Sequence, residues 1–115
     1  MAIPRIPNIH AREYVRRRAP FRGSHMYAEE RVVGESVLYT VYSYGEHFPM
    51  YIAETDVETE TTRWYANQEK FSRSTTRHQS QANPYDVPMI PMDTKDMRVL
   101  ARGGLMTLVC QRVRT

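Results

Sequence analysis

The chain has 115 residues, enough for one domain with a modest hydrophobic core. It contains one cysteine, Cys110, which excludes an internal disulfide and a cysteine-based metal site within one chain. No apolar run approaches the roughly 18 residues of a membrane-spanning helix, and residues 1–23 lack the apolar core of a signal peptide, so we expect a soluble, intracellular protein.

The net charge of +3 conceals a strong asymmetry along the chain. Residues 1–23 carry a net charge of +5, residues 24–62 carry −7, residues 63–82 carry +3 and residues 83–115 carry +2. This order indicates either a polar surface for a partner or assembly between complementary parts of the chain.

Residues 1–26 are predicted to form an extended basic arm that is ordered only on contact with something else. Three prolines interrupt this segment, and a short helix could form over 11–18, although it shows no sustained apolar stripe. Arg16, Arg17 and Arg18 could contact phosphate or the backbone of RNA or DNA. The alternatives are a solvated tail and an arm packed on the acidic segment of the same chain.

Four strands are predicted at residues 27–33, 36–44, 48–54 and 61–67. The first two are rich in valine and tyrosine, and turns containing Gly34 and Gly45 separate the first three. An acidic hairpin tip at 55–60 joins the last two. This pattern predicts an antiparallel meander.

The alternation of side chains along a strand assigns them to the two faces of this sheet. In the second strand, Tyr39 is expected on one face and Leu38 on the other. In the third strand, the alternation predicts that Phe48, Met50 and Ile52 share one face.

The first helix is predicted to follow the fourth strand. Ser72 or Ser74 is a suitable N-cap, and the helix should end near Ala82 because the residue before Pro84 avoids the helical region. The small polar face expected to pack on the sheet comprises Phe71, Thr75, His78 and Ala82, and the exposed face comprises Arg73, Arg77 and Gln81.

A second helix and a final strand are predicted after it. Asp93 is a suitable N-cap for a helix that extends through Arg102, with Asp96 in its first turn. Residues 105–113 are apolar on both faces, which is typical of a central strand, and Cys110 within them is expected to be a small buried hydrophobe.

One candidate site is a polar cluster between residues 44 and 79. Its members are Tyr44, His47, Trp64, Asn67, Lys70, Ser72, Thr75, Thr76, His78 and Gln79. If the first helix packed beside the turn at Gly45, His47 and His78 could approach each other, an arrangement suited to acid–base chemistry or phosphate binding. The alternative is that both histidines donate hydrogen bonds to the backbone and only fasten a helix to a turn.

A second candidate site is a set of basic residues that could contact nucleic acid. It comprises Arg16, Arg17, Arg18, Lys70, Arg73 and Arg77. The acidic middle of the chain argues against a continuous basic groove, and a solvated helix face is the alternative.

Aromatic and methionine content provides a third candidate. Eight tyrosines and seven methionines are many for so small a core, and tyrosine at this density often marks an interface. Met50, Met89, Met92 and Met97 would line such a contact surface or fill gaps in the core. We expect a homo-oligomer on this basis.

The stretch 42–81 resembles a small uncharacterised domain of bacteriophage and mobile-element proteins. The residues that carry the resemblance are Tyr42-Ser43-Tyr44-Gly45, His47-Phe48-Pro49, Trp64, Asn67, Lys70-Phe71-Ser72 and Thr75-Thr76-Arg77-His78-Gln79-Ser80-Gln81. The resemblance implies a phage or plasmid origin and a host-cytoplasmic setting. It brings no activity with it, although small phage proteins of this kind are often accessory factors that bind nucleic acid or a host protein.

We therefore predict one α+β domain at 27–115, with an antiparallel sheet of four to six strands, one or two short helices and an extended basic arm at 1–26. The leading hypothesis is a non-enzymatic phage or mobile-element accessory protein that binds nucleic acid or a nucleoprotein complex. The first alternative is an oligomeric interaction factor, a host-defence inhibitor or phage structural component that uses its acidic middle and tyrosine-rich surface. The second is a small enzyme that uses His47 and His78. No metal, cofactor or membrane partner is expected.

Overall fold

The computed structural model of the chain describes residues 3–70 and 72–103. The predicted strand at 105–113 with Cys110, and the predicted packing of Phe71, lie outside these residues. After a 3₁₀ turn at Asn8–His10, the elements follow in chain order as α1 (Ala11–Arg16), β1 (Phe21–Arg22), β2 (Met26–Val33), β3 (Ser36–Ser43), β4 (Pro49–Asp56), β5 (Thr62–Asn67), α2 (Arg73–Ala82), β6 (Met89–Met92) and α3 (Thr94–Ala101).

Strands β1 to β6 form one sheet in which the spatial order equals the chain order. Neighbours from β1 to β5 are antiparallel, so the four predicted strands do form a meander. β6 is parallel to β5, with Met89 opposite Trp64, because the chain crosses back through α2 before it re-enters the sheet. The predicted α+β class with a mostly antiparallel sheet of four to six strands is confirmed.

Helices cover both faces of the sheet. Ala11 of α1 and Ala82 of α2 pack with Tyr39 in one core cluster, whereas Leu100 of α3 packs with Leu38 in a second. Tyr39 and Leu38 therefore point to opposite faces, as their alternation predicts. β3 is apolar on both sides because each side meets a helical layer. Full burial of Leu100 contributes about 1.5–3 kcal/mol to stability.

The predicted face assignment in β4 is wrong at one point. The pairing of β3 with β4 shifts after Val41, which makes Met50 the extra residue of a β-bulge. Met50 and Phe48 pack in the core cluster beneath α1 and α2, whereas Ile52 packs under α3. A bulge inserts one residue and so reverses the alternation, and the sequence carries no clear mark of it.

The N-terminal segment differs from the extended arm that its sequence led us to expect. It contains α1 and β1, and Phe21 in β1 pairs with Ala28 of β2. Ala11, Val15 and Phe21 are completely buried in the core. Two small apolar residues at an i, i+4 spacing are enough to pack a six-residue helix against the sheet. So short an apolar stripe cannot be recognised in a segment of arginines and prolines.

Both helices predicted in the second half of the chain are present with their predicted N-caps. Oγ of Ser72 accepts a hydrogen bond of 3.2 Å from the Thr75 amide, which identifies Ser72 as the cap of α2. Oδ1 of Asp93 accepts one of 2.8 Å from the Asp96 amide at the start of α3. α2 ends at Ala82, before the proline, as expected.

Candidate functional site

The predicted polar cluster separates into groups that lie in different places. Asn67, Lys70 and Gln79 join α2 to the end of β5; Ser72, Thr75 and Thr76 cap α2; Tyr44 and His78 pack together beside the end of β3. His47 and Trp64 lie apart from these groups.

Gln79 fastens α2 to the chain that leaves β5. Its Nε2 donates hydrogen bonds to the carbonyl oxygens of Asn67 at 3.2 Å and Glu69 at 3.0 Å. Lys70 Nζ donates to Gln79 Oε1 at 3.3 Å, and the Tyr51 hydroxyl donates to the Gln79 carbonyl oxygen at 2.7 Å. With only 4% of its surface exposed, Gln79 is a structural tie whose hydrogen-bonding groups are used within the fold.

Asn67 is the corresponding tie between the sheet and α3. Its Nδ2 donates to the Pro49 carbonyl oxygen and to Oγ1 of Thr94, both at 3.0 Å. Its Oδ1 accepts from the amide of Glu69 at 2.9 Å, and Oε1 of Glu69 in turn accepts from the Thr94 amide at 2.5 Å. This buried amide is consumed in joining β4, β5 and the start of α3.

The capping group is equally local. Ser72 Oγ donates to Thr75 Oγ1 at 3.2 Å, and Thr76 Oγ1 donates to the Ser72 carbonyl oxygen at 2.9 Å. All three side chains are used in the first turn of α2, where Ser72 Oγ also accepts from the Thr75 amide, which would otherwise lack an acceptor within the helix.

His78 is buried against the end of β3. A hydrogen bond of 2.8 Å joins its Nδ1 to Oγ of Ser43, and its ring lies 5.4 Å from that of Tyr44, which stacks on His25 at 5.0 Å. Burial lowers the pKa of His78 below its ordinary value, and the charges of His25 and Arg77 lower it further. Ser43 is only 1% exposed, so this serine–histidine pair is closed to a substrate and serves to fasten α2 to the sheet.

His47 does not join His78. His78 bonds to Ser43 on the side of the sheet that α1 and α2 cover, whereas His47 lines a cavity with Tyr42 on the α3 side. The two histidines therefore do not form the acid–base pair considered from the sequence. Trp64 lies elsewhere again, 6% exposed in the core beside an apolar cavity of about 360 Å³.

The two basic segments of the sequence meet in one layer, formed by α1, the connection to β1, and α2. Arg12 of α1 donates from Nε to the Asn83 carbonyl oxygen at 2.7 Å and from Nη2 to that of Ser80 at 2.8 Å, and its guanidinium lies 4.4 Å from the ring centre of Tyr85. We call this surface the basic layer; its exposed arginines are Arg16, Arg17, Arg18, Arg73 and Arg77.

Two of these five arginines, Arg16 and Arg17, have side chains that contact a partner among the described residues. Arg16 lies 3.5 Å from Asp86, but both side chains are largely exposed and such a pair is worth little. Arg17 lies over the ring of Tyr14 at 4.9 Å. Lys70, another of the predicted phosphate-contacting residues, is exposed and lies just before the N-terminus of α2. Its side chain is hydrogen-bonded to Gln79 of that helix.

Acidic residues gather at one end of the sheet. The β2–β3 turn carries Glu35 and the β4–β5 turn carries Glu58 and Glu60, and the Val57 amide donates to the Glu35 carbonyl oxygen at 2.9 Å. Two acidic turns that are far apart in sequence therefore lie side by side. We call these two turns the acidic end.

Many tyrosines and methionines serve the core. Four of the eight tyrosines are at most 6% exposed, namely Tyr39, Tyr42, Tyr51 and Tyr65. Met50 and Met97 are completely buried, while Met89 and Met92 pack on the margins of the two core clusters. The excess that indicated an interface is explained in large part by packing within the fold.

One group of arginines that could bind a ligand was not predicted from the sequence. Arg31, Arg98 and Arg102 line the cavity that contains His47. Arg31 lies in the acidic segment, where its charge is hidden by its neighbours, and 71 residues separate it from Arg102. The i, i+4 spacing of Arg98 and Arg102 on a helix was the only visible signal.

The described part of the chain contains neither a candidate metal site nor a helix that could span a membrane. No three histidine, cysteine, aspartate or glutamate side chains within residues 3–70 and 72–103 are grouped so that they could hold a metal ion. None of the helices in those ranges is long and apolar enough to cross a membrane.

Comparison of the chain with models of protein families, with curated proteins and with solved structures finds no match. The resemblance of residues 42–81 to a phage domain stays a prediction, and the function has to be argued from the chain itself.

Proposed function

We propose that the protein is a non-enzymatic binding protein whose partner is a nucleic acid or a nucleoprotein complex, contacted at its phosphate groups by the basic layer. The observation that carries this proposal is the meeting of two basic segments through Arg12, which bonds to the carbonyl oxygens of Ser80 and Asn83. Arg16, Arg17 and Arg18 of the first basic segment and Arg73 and Arg77 of the second are thereby brought to the side of the sheet that α1 and α2 cover.

The charge distribution favours a polyanion over a small anion. The exposed arginines of the basic layer are spread over α1, the connection to β1 and α2, and none of them lines the cavity beside Trp64 or the cavity that contains His47. Such a surface suits an extended backbone, where each cation that neutralises a phosphate releases a counterion. The acidic end would repel the same polyanion and so fix which side of the protein faces it.

The proposed setting follows from the resemblance described for residues 42–81. A phage or mobile-element accessory protein acts in the cytoplasm of the host cell, where nucleic acid is the most abundant polyanion. The side chains of the histidine–tyrosine group are used to pack α2 on the sheet, so the proposed function is binding by the basic layer and not catalysis by this group.

The direct test is the affinity of arginine variants for a fluorescein-labelled DNA duplex, measured by anisotropy at 0.1 M salt. R73Q/R77Q removes two exposed arginines and should weaken binding by roughly 10- to 60-fold if both contact phosphate. K95Q is the matched control, since Lys95 is exposed on α3, across the sheet from the basic layer, and should bind normally. Equal affinity of R73Q/R77Q and wild type would refute the proposal.

The acidic end supports a second candidate, an interaction factor that binds a host protein. Carboxylates of two separate turns lie together there, held by the bond between Val57 and Glu35. A basic protein surface that normally binds nucleic acid would complement them. E58K/E60K should abolish binding to such a partner and leave DNA affinity unreduced, whereas R73Q/R77Q should do the opposite.

A further inference from the structure

A polar cavity of about 240 Å³ lies between α3 and the neighbouring part of the sheet. Two strands, one turn and one helix with its C-cap supply its wall. Arg31 comes from β2 and Tyr42 from β3, Glu46 and His47 come from the β3–β4 turn, Arg98 comes from α3, and Arg102 is the C-cap of α3. The arginines are therefore held on a strand and a helix rather than on loops, which is the arrangement that gives a binding site its precision.

Three guanidinium groups face this cavity with one carboxylate, that of Glu46. Among the described residues, the ion pair with a nitrogen–oxygen distance below 4 Å is formed by Arg16 and Asp86. Arg31, Arg98 and Arg102 therefore have no described carboxylate within that distance of their guanidinium groups. Like charges that line one cavity repel each other, and an anion bound among them would relieve this repulsion.

Capping of α3 accounts for part of the cluster and not for all of it. Nη1 of Arg31 donates to the Arg102 carbonyl oxygen at 3.4 Å, and a cation is favourable at a helix C-terminus. One side chain is sufficient for this purpose. Arg98 in α3 and Arg102 at its C-cap are one helical turn apart, and both add positive charge to the same cavity.

We propose that this cavity is a binding site for the phosphate group of a phosphate monoester, held by Arg31, Arg98 and Arg102. Guanidinium groups match the tetrahedral oxygens of phosphate through paired N–H donors, which makes arginine the preferred residue for this task. Burial raises the pKa of Tyr42 to about 12, and Glu29 adds to the rise, so its hydroxyl keeps its proton beside the anion.

The size of the cavity limits the ligand. Pockets for drug-sized molecules usually measure about 300–1,000 Å³. A cavity of about 240 Å³ accommodates a phosphate with a small attached group, and the rest of a larger molecule would remain outside it. The phosphate could belong to a free phosphate ester or to the terminal phosphate of a nucleic acid.

This site is separate from the basic layer. Its wall packs against the α3 side of the sheet, whereas α1 and α2 cover the opposite side. The R73Q/R77Q variant should therefore bind phosphate normally, and failure of one proposal leaves the other intact.

The first experiment measures the melting temperature of the full chain in inorganic phosphate and in sodium chloride of equal ionic strength. Phosphate at ten times its Kd should raise the melting temperature of the wild type by about 5 °C over chloride. R98Q/R102Q should lose this rise, while K95Q, on the same helix but outside the cavity wall, should keep it. A rise of equal size in chloride, or an undiminished rise in R98Q/R102Q, would overturn the proposal.

Arg31 provides a second variant in case the changes in α3 disturb folding. Arg31 is exposed on β2, so R31Q should remain folded and bind phosphate at least tenfold more weakly in calorimetric titration. Wild-type affinity in folded R31Q would contradict the site.

The source of the phosphate is decided by two more titrations, with a nucleoside monophosphate and with an oligonucleotide that carries or lacks a 5′-phosphate. Tighter binding of the nucleoside monophosphate than of either oligonucleotide identifies a free phosphate ester as the ligand. Tighter binding of the 5′-phosphorylated oligonucleotide than of the unphosphorylated one identifies the end of a strand. Binding that ignores both the phosphate and Arg31 would refute the proposal in either form.

Discussion

Replacing Gln79 with leucine would remove the side chain that ties α2 to the end of β5. The amide donates two hydrogen bonds, to the carbonyl oxygens of Asn67 at 3.2 Å and Glu69 at 3.0 Å. Leucine has a similar size and a good helix propensity, so the change removes hydrogen bonds with little change in volume.

The expected cost follows from the acceptors that are left behind. The bond to Asn67 is buried and the bond to Glu69 is partly buried, so the first acceptor loses its partner where water has least access. An unsatisfied buried acceptor costs about 1–3 kcal/mol, and the partly hydrated one costs less. Allowing for the apolar surface that leucine buries, Q79L should lower the free energy of unfolding by about 2–3 kcal/mol, which lowers the melting temperature by roughly 8–15 °C.

Gln81 offers a matched control on the same helix. Its Oε1 is buried and has no hydrogen-bond partner in the described part of the chain. Q81L therefore removes a polar atom that gains nothing from the fold and should change the free energy of unfolding by less than about 0.5 kcal/mol, or increase it.

Urea denaturation provides the comparison, and the single tryptophan, Trp64, is a suitable fluorescent probe because it is 6% exposed in the core. If Q79L and Q81L lose the same free energy, or if Q79L loses less than about 0.5 kcal/mol, Gln79 is not the tie described above.

The remaining two predictions concern His78 within α2 and Ser72 at its N-terminus. Because burial, His25 and Arg77 lower the pKa of His78, the unfolded chain takes up this proton at a higher pH than the folded protein. The wild type should therefore lose stability as pH falls through 6.5, the ordinary value, toward the lower folded-state pKa, at up to about 1.4 kcal/mol per pH unit. H78Q should flatten this dependence in urea denaturation at pH 5–7; parallel pH profiles would exclude the mechanism. S72A should cost about 1 kcal/mol by removing the cap of α2, whereas S74A, at an exposed position in the same turn, should cost less than half of that.

The central strands and the two later helices could be predicted because their signals are local. Runs rich in valine and tyrosine indicate β2 and β3, glycines mark the turns, and Ser72 and Asp93 mark helix starts through bonds within a single turn. Each such signal acts over a few residues, so it survives without knowledge of the rest of the fold.

The errors came from features that depend on tertiary contacts. α1 is held by Ala11 and Val15 against the sheet, a stripe too small to recognise among arginines. The bulge at Met50 reverses the faces of β4 through a shift in pairing with β3. Neither can be read from one segment alone.

The candidate sites likewise include residues that local spacing predicts and residues that only tertiary packing brings together. Arg73 and Arg77 were correctly predicted to lie on the exposed face of α2, since helical spacing decides this. The arginine cavity was missed because its members, Arg31 and Arg98 among them, meet only when β2 and α3 pack on the same face of the sheet. The separation of His47 from His78 likewise required the faces of the sheet to be known.

The salt dependence of DNA affinity tests the central proposal most directly. Anisotropy titrations of the wild-type chain from 0.05 to 0.3 M salt should give a log–log slope of about −2.7 to −4.5, as three to five neutralised phosphates require. R73Q/R77Q should reduce the slope by about 1.8. Affinity that does not change with salt, or no binding at the lowest salt, would contradict a phosphate-binding basic layer.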